Sequence, residues 1–170
     1  MLAQRALPEK ERNESQINKT HRAFENDYRD NWGFHTGLYH GIAEMLDHLT
    51  ERGLKLSILS NKPHEFTIIT SGYFLSKWNF ECVFGQREEV PKKPDPAGIF
   101  EIAEHLKVPS EQMVYLGDSG VDMQTARAGG CYAIGVTWGF RESKELLDSG
   151  AEQLISQPLE LISWIDSNRS

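Results

Sequence analysis

Three short segments carry the residues of this chain able to do chemistry: Ile58-Leu59-Ser60-Asn61-Lys62, Lys93-Pro94-Asp95-Pro96 and Tyr115-Leu116-Gly117-Asp118-Ser119-Gly120-Val121-Asp122. The first offers the Ser60 hydroxyl and the Asn61 backbone amide, donors that suit a phosphate oxygen at a helix start. The second offers Lys93, a compact point charge able to offset phosphate charge, beside prolines whose fixed backbone angle stiffens the turn. The third offers two carboxylates, Asp118 and Asp122, four residues apart across a strand-to-helix turn, so that both can lie near the strand end. Magnesium is typically held by one or two protein carboxylates and fills the rest of its octahedron with water and phosphate. Together the segments suit a magnesium-dependent phosphate site. Each alone also has a plainer reading: Ser60 as a helix N-cap, Lys93 as a solvated lysine beside Lys92, Asp118 and Ser119 as helix caps with Asp122 answering the helix dipole.

The elements that must position these residues follow from hydrophobic spacing. Ile17, Phe24, Tyr28 and Trp32 share one face of a predicted amphipathic helix over residues 15–32. Gly33, Gly37 and Gly41 mark a break before a second helix over residues 42–52, closed by Gly53. Apolar strands are then expected at 54–59, 82–84, 113–116 and 131–136, with a weaker one at 153–155. Helices are expected to start at Ser60-Asn61-Lys62-Pro63 and to cover residues 97–107, 122–128, 142–149 and 158–165. Apolar strands alternating with helices predict an α/β fold with a parallel sheet covered on both faces. In such a sheet ligands lie beyond the carboxyl ends of the strands, where Ser60 and Asp118 fall.

Composition narrows the function classes. One sizeable core fits 170 residues, two full domains hardly. A formal charge of -7 repels a phosphate backbone, which argues against nucleic acid as partner. Cys82 and Cys131 each lie in an apolar run without metal-site spacing and read as buried thiols. No apolar run approaches the ~20 residues of a membrane span, and residues 1–12 are too charged for a signal peptide, so a cytoplasmic protein without a membrane partner is expected.

In their order, these segments resemble the second, third and fourth motifs of the haloacid dehalogenase (HAD) superfamily. Within it they look most like the phosphoglycolate-phosphatase branch, a likeness shared by Ala126-Arg127-Ala128-Gly129 and Val136-Thr137-Trp138-Gly139-Phe140. The resemblance spans about residues 38–161 and implies a Rossmann-like core that hydrolyses phosphate monoesters through an aspartyl-phosphate, with Mg2+ as cofactor and a small phosphorylated metabolite as substrate. Carried over residue by residue, Ser60 and Asn61 bind phosphate, Lys93 binds it and serves catalysis by stabilising charge, and Asp118 with Asp122 fixes the metal.

The family's first motif, Asp-any-Asp-Gly-Thr, has no counterpart, since no Asp-any-Asp occurs in these 170 residues. Asp27, Asp30 and Asp47 all fall in predicted helices and replace no nucleophile. The resemblance therefore implies that the central first strand is missing, that residues 1–36 are a remnant of a helical cap and that residues 37–170 form the core. Without that strand, the strands ending at Leu59 and Leu116 would each expose an unpaired edge. The expectations are that the two pair directly, that a partner chain fills the gap, or that the sheet is distorted; the exposed centre also makes a homo-oligomer an expectation. A second functional reading is a non-catalytic remnant that binds magnesium or phosphate, or an interaction module completed by a partner. A third, an unrelated doubly wound binding domain, requires the local matches to be coincidence.

Overall fold

The computed structural model describes residue 4, residues 6–34 and residues 36–168; part of the charged N-terminal segment, residues 1–3 and 5, lies outside the described residues. Two compact units result, Met1–Gly37 and Leu38–Ser170. In the first, a 3-10 turn at Glu9–Glu11 precedes helix α1, Glu14–Asn31. Asn13 caps α1 by accepting the Gln16 amide at 3.0 Å, satisfying one of the orphan donors of the first turn. Phe24 and Tyr28, one helical turn apart, stack with centroids 5.6 Å apart.

The second unit alternates helix and strand: α2 (Ile42–Glu51), β1 (Leu56–Pro63), α3 (His64–Phe74), β2 (Phe80–Gln86), α4 (Ala97–Leu106), β3 (Val114–Gly117), α5 (Gly120–Ala128), β4 (Tyr132–Val136), α6 (Ser143–Asp148), β5 (Gln153–Ile155) and α7 (Glu160–Asn168). Every strand pairing is parallel. β4 shows why its sequence is an unbroken apolar run. Ile134 and Val136 point into a cluster with Met45, Leu49 and Leu161 from α2 and α7. Ala133, on the opposite face of the pleat, meets Met123, Ala126 and Leu146 from α5 and α6. Full burial of a side chain such as Ile134 contributes about 1.5–3 kcal/mol, so this strand and its two helical layers form the strongest part of the core.

The core is α/β with parallel strands flanked by helices, as expected, and the strands are divided: β1 pairs only with β2, and β3, β4 and β5 form a separate three-stranded sheet. Of the three outcomes expected for the edges of β1 and β3, direct pairing is not found, and the sheet is interrupted between them. Side chains join what backbone bonds do not: Leu56 and Leu116 pack on one cluster, Leu59 and Tyr115 on another. One expectation is corrected: Ser60 to Pro63 end strand β1 instead of starting a helix, and the helix begins at His64. The ring of Pro63 steers the preceding residue away from helical angles, and Pro63 itself is extended at φ -48°, ψ 139°. Asn61 thus presents a strand-end amide. The first turn of α3 lies tightly on β2: His64 Nδ1 accepts the Gly85 amide at 3.2 Å, and a side chain on Gly85 would collide with His64, Thr67 and the Lys62 carbonyl.

Candidate phosphate site

The carboxyl ends of β1 and β3 and the loop after β2 meet around one ammonium group. Lys93 Nζ donates to Asp122 Oδ1 at 2.6 Å, to the Leu59 carbonyl at 3.1 Å and to Tyr115 Oη at 3.2 Å. An ammonium has three donors, and here all three are used. The pair is secluded, with 12% of the Lys93 side chain and 10% of the Asp122 side chain exposed. Its backbone is fixed as firmly: the Lys93 amide donates to Asn61 Oδ1 at 2.9 Å, and Asn61 Nδ2 donates back to the Lys93 carbonyl at 3.1 Å. The loop itself is pinned at its start, where the Arg87 guanidinium lies 4.4 Å from the Phe84 ring centroid and pairs with Glu101.

Asp122 is held from several sides. Ser119 Oγ caps α5 by accepting the Asp122 amide and donates to Asp122 Oδ2 at 2.5 Å, so one hydroxyl fixes both the helix start and the carboxylate. Gly117 leaves the room this needs, since a side chain there would fall on Asp122. Tyr115 Oη lies 3.5 Å from Asp122 Oδ1 and donates to it. Burial, with the Asp122 charge next, pushes the Tyr115 hydroxyl far above its ordinary pKa, so it remains a neutral donor.

The sequence-predicted residues are brought together unequally. Ser60, Asn61 and Lys93 line one cleft with Gln86 and Arg87. Ser60 Oγ accepts the Lys62 amide at 3.1 Å, which leaves its hydroxyl proton to donate. Asn61 contributes a role that its sequence position did not suggest, clamping the Lys93 backbone with its side chain. Asp118 is half-buried beside the backbone of Gly139, where a side chain would collide with it, and among the described residues its carboxylate has no hydrogen-bond or ion-pair partner. Of the aromatic segment after β4, Trp138 packs on the core and Phe140 is 90% exposed.

These positions bear directly on magnesium. Among the described residues no group of three or more His, Cys, Asp or Glu side chains converges as a ready metal cluster. Asp118 offers a free carboxylate at a strand end and fits as one ligand of an ion that takes its remaining oxygens from water and phosphate. Asp122 has both oxygens engaged, by Lys93 and by Ser119.

A sequence profile of the haloacid dehalogenase-like hydrolases matches residues 2–136. The chain belongs to that family. Among HAD relatives, the phosphoglycolate phosphatase of Escherichia coli strain K12 is 30% identical over 147 residues, 86% of this chain and 58% of that protein. The phosphoglycolate phosphatase of Pseudomonas savastanoi pv. phaseolicola is 28% identical over 127 residues, 75% of this chain and 47% of its own. A Lactobacillus delbrueckii subsp. bulgaricus crystal structure, described as a candidate phosphoglycolate phosphatase, superposes with a TM-score of 0.84 at 31% identity, covering 94% of this chain and 66% of that one. The fold alone is shared with a haloacid dehalogenase-like hydrolase of Streptococcus pneumoniae, TM-score 0.82 at 22% identity, over 90% of this chain and 71% of that one. The chain thus spans about three fifths of the length of the E. coli enzyme. The HAD core is α/β, with parallel sheets flanked by helices. No helix among the described residues is long and apolar enough to cross a membrane.

The residue that sequence reading missed is Tyr115. Two positions before Gly117, it shares a face of the strand with the glycine that admits Asp122, and period-two alternation from Gly117 was the available signal.

Proposed function

We propose that this chain is the phosphate-handling part of a phosphate monoester hydrolase of the phosphoglycolate-phosphatase type. The observation that carries this reading is the secluded Lys93 ammonium, fixed between the ends of β1 and β3 beside a cleft lined by Ser60 and Asn61. In such a site positioning and electrostatics do most of the work, because charge spreads over the transferring phosphoryl oxygens. Ser60 donates its hydroxyl to a phosphate oxygen, Lys93 offsets the anion's charge, and Asn61 keeps Lys93 in place. Asp118 is the residue that would hold Mg2+, which when bound neutralises phosphate charge. No residue of this chain takes the nucleophile's role, so the 170-residue chain is expected to be inactive alone.

The interruption between β1 and β3 favours a second reading, a binding module that acts once another polypeptide segment is supplied. Two measurements test both. Magnesium-dependent hydrolysis of an aryl phosphate should be absent from the purified chain; turnover abolished by Asp118→Ala would show that another group replaces the nucleophile. Calorimetry should give a Mg2+ affinity at least tenfold weaker in Asp118→Ala, and equal affinities would remove the metal assignment.

A further inference from the structure

The partners of Lys93 raise a question that the phosphate reading leaves open: a saturated ammonium has no donor left for an anion. One of its three bonds must be exchanged when phosphate arrives, and the three differ in how readily they can be given up. Asp122 is a charged partner at 2.6 Å in a secluded setting, and charge-assisted bonds are about twice as strong as neutral ones. The Leu59 carbonyl is a backbone acceptor fixed by its strand. Tyr115 Oη is neutral, has the longest of the three bonds at 3.2 Å, and has a second partner in Asp122 Oδ1 to which it keeps donating when Lys93 leaves it.

We propose that Asp122 is a positioning residue that aims Lys93, and that Tyr115 is its exchangeable partner, occupying the third ammonium donor until a phosphate oxygen takes that place. Ser119 completes the device by binding Asp122 Oδ2, which keeps both carboxylate oxygens away from a metal. Asp118 alone then serves the divalent ion, and metal and anion are handled by separate carboxylates. The proposal rests on the phosphate-site reading, and its test separates the two.

The deciding variant is Tyr115→Phe, which removes one hydroxyl and keeps the ring that packs on the cluster around Ile99 and Met123. Titration of the 170-residue chain with inorganic phosphate, in the presence of Mg2+, should give about fivefold tighter binding in Tyr115→Phe, the fold-change equivalent to one neutral hydrogen bond of about 1 kcal/mol. Asp122→Asn should weaken phosphate binding while leaving Mg2+ affinity within about twofold, the split that a metal ligand would not show. Unchanged or weaker phosphate binding in Tyr115→Phe overturns the exchange, and loss of Mg2+ affinity in a folded Asp122→Asn overturns the positioning role.

Competitive acetylation of lysine amines, read by mass spectrometry with exposed Lys92 as internal standard, reports on the clamp without any ligand. Lys93 should be protected in the wild type and several-fold more reactive in Tyr115→Phe. Absence of phosphate binding in every variant, with this labelling change intact, would sink the phosphate site and leave the clamp standing. Equal labelling of Lys93 in wild type and Tyr115→Phe would sink the clamp itself.

Discussion

Removing both members of the Lys93–Asp122 pair should destabilise the fold no more than removing either one. The ion pair is 2.6 Å long, with 12% and 10% of its side chains exposed, so either charge left alone would sit in a place where water cannot fully solvate it. Breaking a buried pair of this kind costs about 3–5 kcal/mol, because the surviving charge is uncompensated. Lys93→Met strands the Asp122 carboxylate with only the Ser119 and Tyr115 hydroxyls, and Asp122→Asn strands the ammonium with a carbonyl and a phenol. In Lys93→Met/Asp122→Asn no charge remains, and what is lost is a few hydrogen bonds of about 0.5–1.5 kcal/mol each. The double variant should therefore cost about as much as one single variant, a coupling of about 3 kcal/mol. For a chain of this size 3 kcal/mol lowers the melting temperature by roughly 6–12 °C, readily followed by circular dichroism in heat or urea. Single variants that each cost less than about 1 kcal/mol, and add in the double variant, would show that the pair behaves as an exposed surface contact and refute the reasoning.

Burial pushes the Cys131 thiol up to about 11 and also raises Cys82, so neither should react with a disulfide reagent at pH 8 until the chain is unfolded in urea. Because the folded value of Cys131 lies above the unfolded one, its contribution to stability is complete below about pH 9 and is lost as pH rises towards about 11; Cys131→Ala should flatten that alkaline limb of the melting curve. Gly117→Ala places a methyl group on the Asp122 side chain and should cost about 1–3 kcal/mol as overpacking, with Lys93 more readily acetylated than in the wild type. Unchanged melting and labelling in Gly117→Ala would show that the Asp122 position does not depend on that glycine.

What could be read from the sequence was what residue type and periodicity decide locally. β4 was legible because its apolar residues serve two helical layers at once, and no alternation was there to mislead. Ser60 and Asp118 stand out in the sequence because each is a polar residue at the end of an apolar run, and Lys93 because it precedes the stiff Pro94-Asp95-Pro96 turn. Ser60-Asn61-Lys62-Pro63 was misread because proline suits both a helix's first turn and a strand's end. The restriction on the residue before proline, which points to the strand, was the stronger rule. Alternation from Gly117 gives the face of the strand on which Tyr115 lies, but residue type does not tell that its hydroxyl meets the Asp122 carboxylate. The side-chain role of Asn61 depends on a backbone 32 residues away, a distance that no local pattern encodes.

The interruption of the sheet could not be read from spacing, because an apolar strand has the same pattern whatever the number of its neighbours. Its consequence is visible in burial: Ala133 and Ile134 of β4 are wholly buried between two partner strands, whereas no residue of β1 is fully buried. Edge strands with apolar faces are weak points that folded chains usually cover or charge. Here the charge comes from Lys93, whose ammonium bonds to the Leu59 carbonyl of one sheet and to Tyr115 and Asp122 beside the other. The same side chain is therefore a polar link between the sheets and, in the function proposed above, the anion's main attraction. Under the proposed exchange, a phosphate that draws Lys93 away from Tyr115 would leave the links to Leu59 and Asp122 in place, so that binding would not open the seam. Loss of Asp122 would break the charged link and the aim of the ammonium together, which is why the isosteric change at Tyr115, and not a change at Asp122, separates binding from stability.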